Sequence, residues 1–183
     1  MRTLQRYSLI LALVLLPTIL FASGGKEEEP TAAPTQEWFA AADSWGFTYE
    51  FKGNEIEFIV AAPTTGWVGI GFNPSVMMKD ADYVLGYVKD GTVYFQDNYG
   101  TGNTSHAPDV SLGGTEDVRG IRGSETNGKT TIVFALPLDS MDQYDKKFVQ
   151  GETYKVLLAY GKNGADDFTS MHSKRTAIDV VFK

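Results

Sequence analysis

Residues 66–87 read Gly66-Trp67-Val68-Gly69-Ile70-Gly71-Phe72-Asn73-Pro74-Ser75-Val76-Met77-Met78-Lys79-Asp80-Ala81-Asp82-Tyr83-Val84-Leu85-Gly86-Tyr87, and their pattern decides the fold. Residues 66–72 and 83–88 are short, nearly continuous apolar runs rich in aromatic and β-branched side chains, the mark of strands covered on both faces. The segment between them carries two adjacent methionines beside acidic residues. A flexible thioether normally fills gaps in apolar surroundings, so this loop is expected to fold back over something apolar.

Outward from this centre the same grammar repeats. Phe47, Tyr49 and Phe51 alternate with polar residues, and Ile56, Phe58 and Val60 recur at the same spacing after Gly53 and Asn54, which predicts a hairpin with one buried face. Asp90-Gly91 and Asn127-Gly128 are hairpin-turn pairs, the first between runs at 83–88 and 92–96, the second between 118–123 and 130–136. Residues 154–160 and 176–182 supply two further strands. The stretch from Asp97 to Asp117 is rich in Gly, Asn, Thr, Ser, Pro and Asp, and reads as a long loop with one short strand around Val110 to Leu112. No helical period emerges after Trp38. About nine to eleven short strands separated by glycine turns predict an all-β, antiparallel β-sandwich, with a closed barrel as the alternative.

The chain's 183 residues carry a net charge of −7, and the acidic side chains are scattered, which argues for one acidic domain and against a nucleic-acid partner. Arg2 and Arg6 precede an apolar run over residues 9–22, then small residues, the layout of a signal peptide over residues 1–24; an uncleaved membrane anchor is the alternative. Export to the periplasm or outside the cell is therefore expected. Leu20-Phe21-Ala22-Ser23-Gly24 has serine where a lipoprotein box needs cysteine, so no lipid anchor forms by that route. Residues 25–37 are a polar, proline-containing spacer, and the folded domain is expected over 38–183.

The chain has no cysteine. That removes disulfides, thiol catalysis, cysteine-ligated iron–sulfur clusters and covalent haem attachment. No Gly-x-Ser-x-Gly elbow occurs, and His106 and His172 lie in expected loops without a triad motif around them. Asp139, Asp142 and Asp145 have a spacing compatible with calcium, but without the glycine and terminal glutamate of an EF-hand; a capped turn is the favoured reading. A methionine and a histidine together are the pair that holds a six-coordinate haem iron in many electron-transfer proteins. Met78 and His172 are candidates for it, and without cysteine such a haem is noncovalent, b-type.

Residues 66–72, 78–87 and 96–99, followed by Asn127-Gly128-Lys129-Thr130-Thr131, residues 134–142, Ala159-Tyr160-Gly161 and residues 172–175, resemble in order the successive motifs of a DOMON domain. The resemblance spans residues 38–183 and implies an immunoglobulin-like β-sandwich that binds haem or a sugar-like ligand. In its cytochrome branch, similar to the haem domain of cellobiose dehydrogenase, one methionine comes from the loop after the Gly-Trp-Val-Gly strand and one histidine from the loop before the last strand. Met78 and His172 fall on those positions, with Met77 as the near rival. Two positions depart from the family pattern, Leu136 in place of arginine and Asp80 in place of glycine.

Phe72, Met77, Tyr83, Tyr99 and Phe168 are candidate haem-lining residues, and Arg175 a partner for a propionate. The expected role is electron transfer rather than enzymatic turnover, with a redox protein or a quinol-linked membrane complex as partner. The rival role is a noncatalytic module that binds carbohydrate through Trp67, Tyr83 and Tyr99.

Overall fold

The computed structural model describes residues 37–42 and 44–183. The expected signal peptide, and all of the spacer except Glu37, lie outside the described residues. Eleven strands run in chain order: β1 (Phe39–Ala42), β2 (Trp45–Lys52), β3 (Glu55–Ala62), β4 (Val68–Phe72), β5 (Asp82–Lys89), β6 (Thr92–Gly102), β7 (Ser105–Pro108), β8 (Arg119–Thr126), β9 (Lys129–Pro137), β10 (Thr153–Tyr160) and β11 (Lys174–Val181). They form two antiparallel sheets, one of five strands in the order β1-β2-β3-β9-β8 and one of six in the order β11-β10-β4-β5-β6-β7. The fold is the expected all-β sandwich.

Turn chemistry sets the hairpins. Asp90 and Gly91 both adopt positive φ (51° and 75°), as do Asn127 and Gly128 (54° and 72°), the geometry whose twist matches the flanking strands. The register then places every second side chain between the sheets. Phe58 from β3 packs on Phe72 from β4 with ring centroids 5.0 Å apart, and on Phe134 from β9 at 5.5 Å. Phe148 meets Phe72 edge-on at 4.9 Å. With no disulfide available, this aromatic core carries the tertiary stability.

Two expectations are corrected. Residues 97–117 are not mainly loop: β6 continues to Gly102, β7 returns over Ser105–Pro108, and His106 therefore sits on a strand. Val110 to Leu112 is not a strand but part of a single helical turn, α1 (Asp109–Leu112). The polar composition of β6 and β7 hid them, because Asp97 and Asn98 are buried polar residues where a strand normally shows apolar ones. Among the described residues no helix is long and apolar enough to cross a membrane.

Candidate functional site

The central strands of the six-stranded sheet are buried on both sides. On β4, Val68, Ile70 and Phe72 enter the main core while Gly69 and Gly71 face outward. On β5, Val84 and Val88 face the core, and Tyr83, Leu85 and Tyr87 face outward. A second apolar cluster grows on that outer face: Trp67, Ala81, Tyr83 and Leu85 are buried, with Met78, Tyr87, Leu157, Ala159, Ala165 and Phe168 packed against them. Glycine is required beneath it, because a Cβ on Gly71 would overlap the Tyr83 ring and one on Gly161 would overlap the Trp67 indole. Both rings consequently lie flat on the sheet, and burial pushes the Tyr83 phenol pKa far up.

Two loops close over this face from opposite ends of β4. Val68 pairs with Tyr160 at one end and Phe72 with Asp82 at the other, so the ends are separated by about 13 Å of strand. At the Phe72 end, residues 73–81 fold into a tight turn held by Ser75 N–H to Lys79 O (2.8 Å) and Lys79 N–H to Val76 O (2.9 Å). Met77 occupies a left-handed position (φ 55°) and is 50% exposed, whereas Met78 packs on the apolar cluster. The turn separates the two methionines. The Tyr83 hydroxyl donates to Met78 O at 3.3 Å. Asp80 has φ 60°, which explains why glycine suits this position. Its carboxylate accepts from the Ser75 and Tyr99 hydroxyls, locking the strained turn.

At the other end, residues 161–173 carry His172. Asp167 Oδ1 accepts from the backbone N–H groups of Thr169 (2.7 Å) and Ser170 (2.6 Å). Trp67 Nε1 donates to Ser170 Oγ at 3.1 Å, and Ser173 N–H donates to Tyr160 O at 2.7 Å. Phe168 lies 4.9 Å from the Tyr87 ring, which itself stacks on Tyr94 at 4.9 Å. His172 is half-buried, and Arg175 is exposed on β11 with no ion pair among the described residues.

The other sequence candidates separate. Phe72 belongs to the core between the sheets, on the opposite face of β4 from the cluster, because strand side chains alternate. Tyr99 pairs with Asp82 and so shares the inward face of β5 and β6; it packs on Tyr144 at 5.1 Å. Neither lines the outer face. Leu136 fills the main core at 4% exposure.

His106 joins the outer face unannounced. It sits 6.2 Å from the Tyr83 ring, its Nδ1 is 3.1 Å from Asn98 Oδ1, and burial lowers its pKa. Its place became readable only once β7 existed, since Met78 N–H donates to Asn103 O in the same β6–β7 hairpin at 3.4 Å.

The calcium candidates also disperse. Asp139 pairs with Lys147 at 2.6 Å, and Asp142 accepts from the N–H groups of Tyr144 (2.9 Å) and Thr115 (2.6 Å), which hold both carboxyls below their usual pKa. Those two are turn and ion-pair residues. Asp145 points elsewhere, to within 4.8 Å of Asp82 and Asp97. Desolvation raises the pKa of Asp82 well above normal, of Asp97 to about 9 and of Asp145 to about 6.

The donor chemistry suits a haem: one loop carries the Met78 thioether, packed on the apolar cluster, and the other carries the half-buried His172 imidazole. A cleft of about 250 Å³ away from this face is lined by Asp139, Asp142, Asp145, Lys146 and Lys147.

Among solved structures, the chain is similar to the cytochrome domain of Myriococcum thermophilum cellobiose dehydrogenase (TM-score 0.55, 11% identity, 78% of this chain and 79% of that one). It is also similar to the cytochrome b domain of Coprinopsis cinerea pyranose dehydrogenase (TM-score 0.52, 16% identity, 74% of each chain). At these identities the likeness is one of fold. Among curated proteins, DBH-like monooxygenase protein 2 of Mus musculus is 31% identical over 180 residues, 95% of this chain and 28% of the relative. DBH-like monooxygenase protein 1 of Homo sapiens is 31% identical over 116 residues, 63% of this chain and 18% of the relative. The chain thus spans less than a third of the length of either. The DOMON domain model matches residues 44–161. With that match over more than half its length, the chain belongs to the DOMON domain family.

Proposed function

We propose that this domain binds a b-type haem noncovalently on the outer face of the six-stranded sheet, with Met78 and His172 as axial ligands, and serves in one-electron transfer. The observation that carries the reading is the covered outer face of β4 and β5, where Met78 packs from one loop and Phe168, four residues before His172, packs from the other. The b-type cytochrome domains among the structural neighbours support the cofactor class. Held by both Met78 and His172, a haem would supply one-electron exchange rather than oxygen chemistry.

The protein's part is binding and exclusion of water. Tyr83, Leu85, Tyr87 and Phe168 supply the apolar contact. Trp67, tied to Ser170, holds the His172 loop against the sheet. Arg175, exposed on β11, would pair with a propionate. The acidic surface favours a basic redox protein, or a quinol-linked membrane complex presenting basic residues. Export follows from the leader-like sequence at residues 1–24.

His106 is a second imidazole on the same face, adjacent to Tyr83. The rival reading is a carbohydrate or another small molecule bound through Trp67, Tyr83 and Tyr99, of which Trp67 and Tyr83 are only 5% and 8% exposed. The test is absorption spectroscopy of the purified protein titrated with haem. The proposal expects a stoichiometric low-spin species with a sharp α band on reduction. A protein that stays colourless with added haem, and is stabilised by a glycan instead, refutes it.

A further inference from the structure

Asp82 begins β5, and Asp97 lies on β6 opposite Val84, so both side chains point to the inward face, behind the Met78 cluster. Each is 2% exposed. Each has one oxygen fixed by a backbone donor: Asp82 Oδ2 by Lys146 N–H at 3.0 Å and Asp97 Oδ2 by Asp117 N–H at 3.1 Å. The remaining oxygen of each, Oδ1, has no hydrogen-bond partner. Asp109, 1% exposed at the start of α1, has both carboxyl oxygens unpartnered, and its carboxyl faces that of Asp145.

No ion pair among the described residues involves any of the four. The nearby Lys146 ammonium is instead turned over the Tyr99 ring, 5.9 Å from its centroid. Four carboxyls from four separate segments, three of them buried, converge without a cation. Burying an unpaired carboxylate costs several kcal/mol, and native proteins rarely leave such oxygens unmatched.

We propose that Asp82, Asp97, Asp109 and Asp145 form a binding site for one calcium ion. Ligand atoms of Asp82, Asp97 and Asp145 lie within 4.8 Å of one another, and oxygens on opposite sides of a shared calcium are about 5 Å apart. The set is all oxygen, which selects a hard cation. Magnesium demands near-octahedral geometry and retains several waters, whereas calcium accepts irregular shells of carboxylates. The ion ties β5, β6, α1 and the 139–147 loop together. Because Asp82 directly follows the Met78 loop, the ion also fixes where that loop ends.

The test needs no haem, so its outcome is independent of the haem reading. Full-length protein stripped with EDTA is melted at neutral pH with increasing calcium chloride, and in parallel with magnesium chloride. Calcium in hundredfold excess over its Kd is expected to raise Tm by roughly 5–10 °C, and isothermal titration should count one ion. Asp97→Asn keeps the shape and removes a carboxyl that can bind a cation; its Tm in EDTA is expected to equal or exceed that of the wild type, with the calcium response lost. Asp145→Asn, on the half-buried loop, gives the same readout if the first variant folds poorly. Wild-type melts unmoved by calcium, a larger response to magnesium, or a full calcium response in both variants overturns the proposal.

Discussion

On one face of β5, Tyr83, Leu85 and Tyr87 are covered by apolar neighbours and two loops; on the other face of the same sheet, Asp82 and Asp97 are buried with oxygens left unmatched. The two regions are built from the same two strands in one register. The first packs apolar against apolar, with the Tyr83 and Trp67 rings over Gly71 and Gly161. The second acquires a stable form only with protons or a cation. A β-sheet can therefore carry an apolar site and a charged site back to back, because alternate residues never meet.

That comparison is broken most forcefully at Trp67, which covers the outer face and anchors Ser170. Trp67→Ala is expected to cost about 3–5 kcal/mol in urea unfolding, and to loosen residues 161–173 to hydrogen exchange while the acidic face keeps its protection. Gly71→Ala, which forces the Tyr83 ring off the sheet, should cost about 1–3 kcal/mol; a cost near zero means that the ring is not seated as described. Asp97→Asn goes the other way, neutral or stabilising in EDTA, since it replaces a buried carboxyl whose Oδ1 has no partner. Equal destabilisation by Gly71→Ala and Asp97→Asn would erase the contrast between the faces.

The smallest effect belongs to His106. Burial holds its pKa below the usual 6.5, so the folded state takes up a proton less readily than the unfolded chain. The stability it contributes is full above pH 6.5 and declines as pH falls through the lower folded-state value. In calcium-saturated protein, His106→Gln should flatten that limb of the stability profile. An unchanged profile would place the histidine in open solvent.

Much of the outer face was readable in the sequence. Continuous apolar runs at 66–72 and 83–88 required cover on both sides, and of the two methionines that marked the covering loop Met78 packs over the face while Met77 is exposed. The turn pairs Asp90-Gly91 and Asn127-Gly128 fixed two hairpins. Phe72 and Tyr99 were misplaced because apolar or aromatic character does not reveal which face a residue takes until the register is known.

The acidic site escaped for a different reason. Asp82, Asp97, Asp109 and Asp145 are spread over more than sixty residues; only Asp145 stood out, grouped with Asp139 and Asp142 as compatible with calcium, and the pairing of β5 with β6 and the fold of 139–147 bring it instead to Asp82 and Asp97. Nothing in local spacing announces such a cluster. The same holds for His106, whose strand was concealed by polar composition.

Which side chains would hold a haem iron is read directly by the spin state of single-site variants. Haem-reconstituted wild type, Met78→Ala, His172→Ala and His106→Ala are compared by optical and magnetic circular dichroism spectra. Conversion of the Met78 and His172 variants to high spin, with the His106 variant remaining low-spin, is the predicted result. A low-spin spectrum that survives loss of His172 but collapses on loss of His106 would contradict the account.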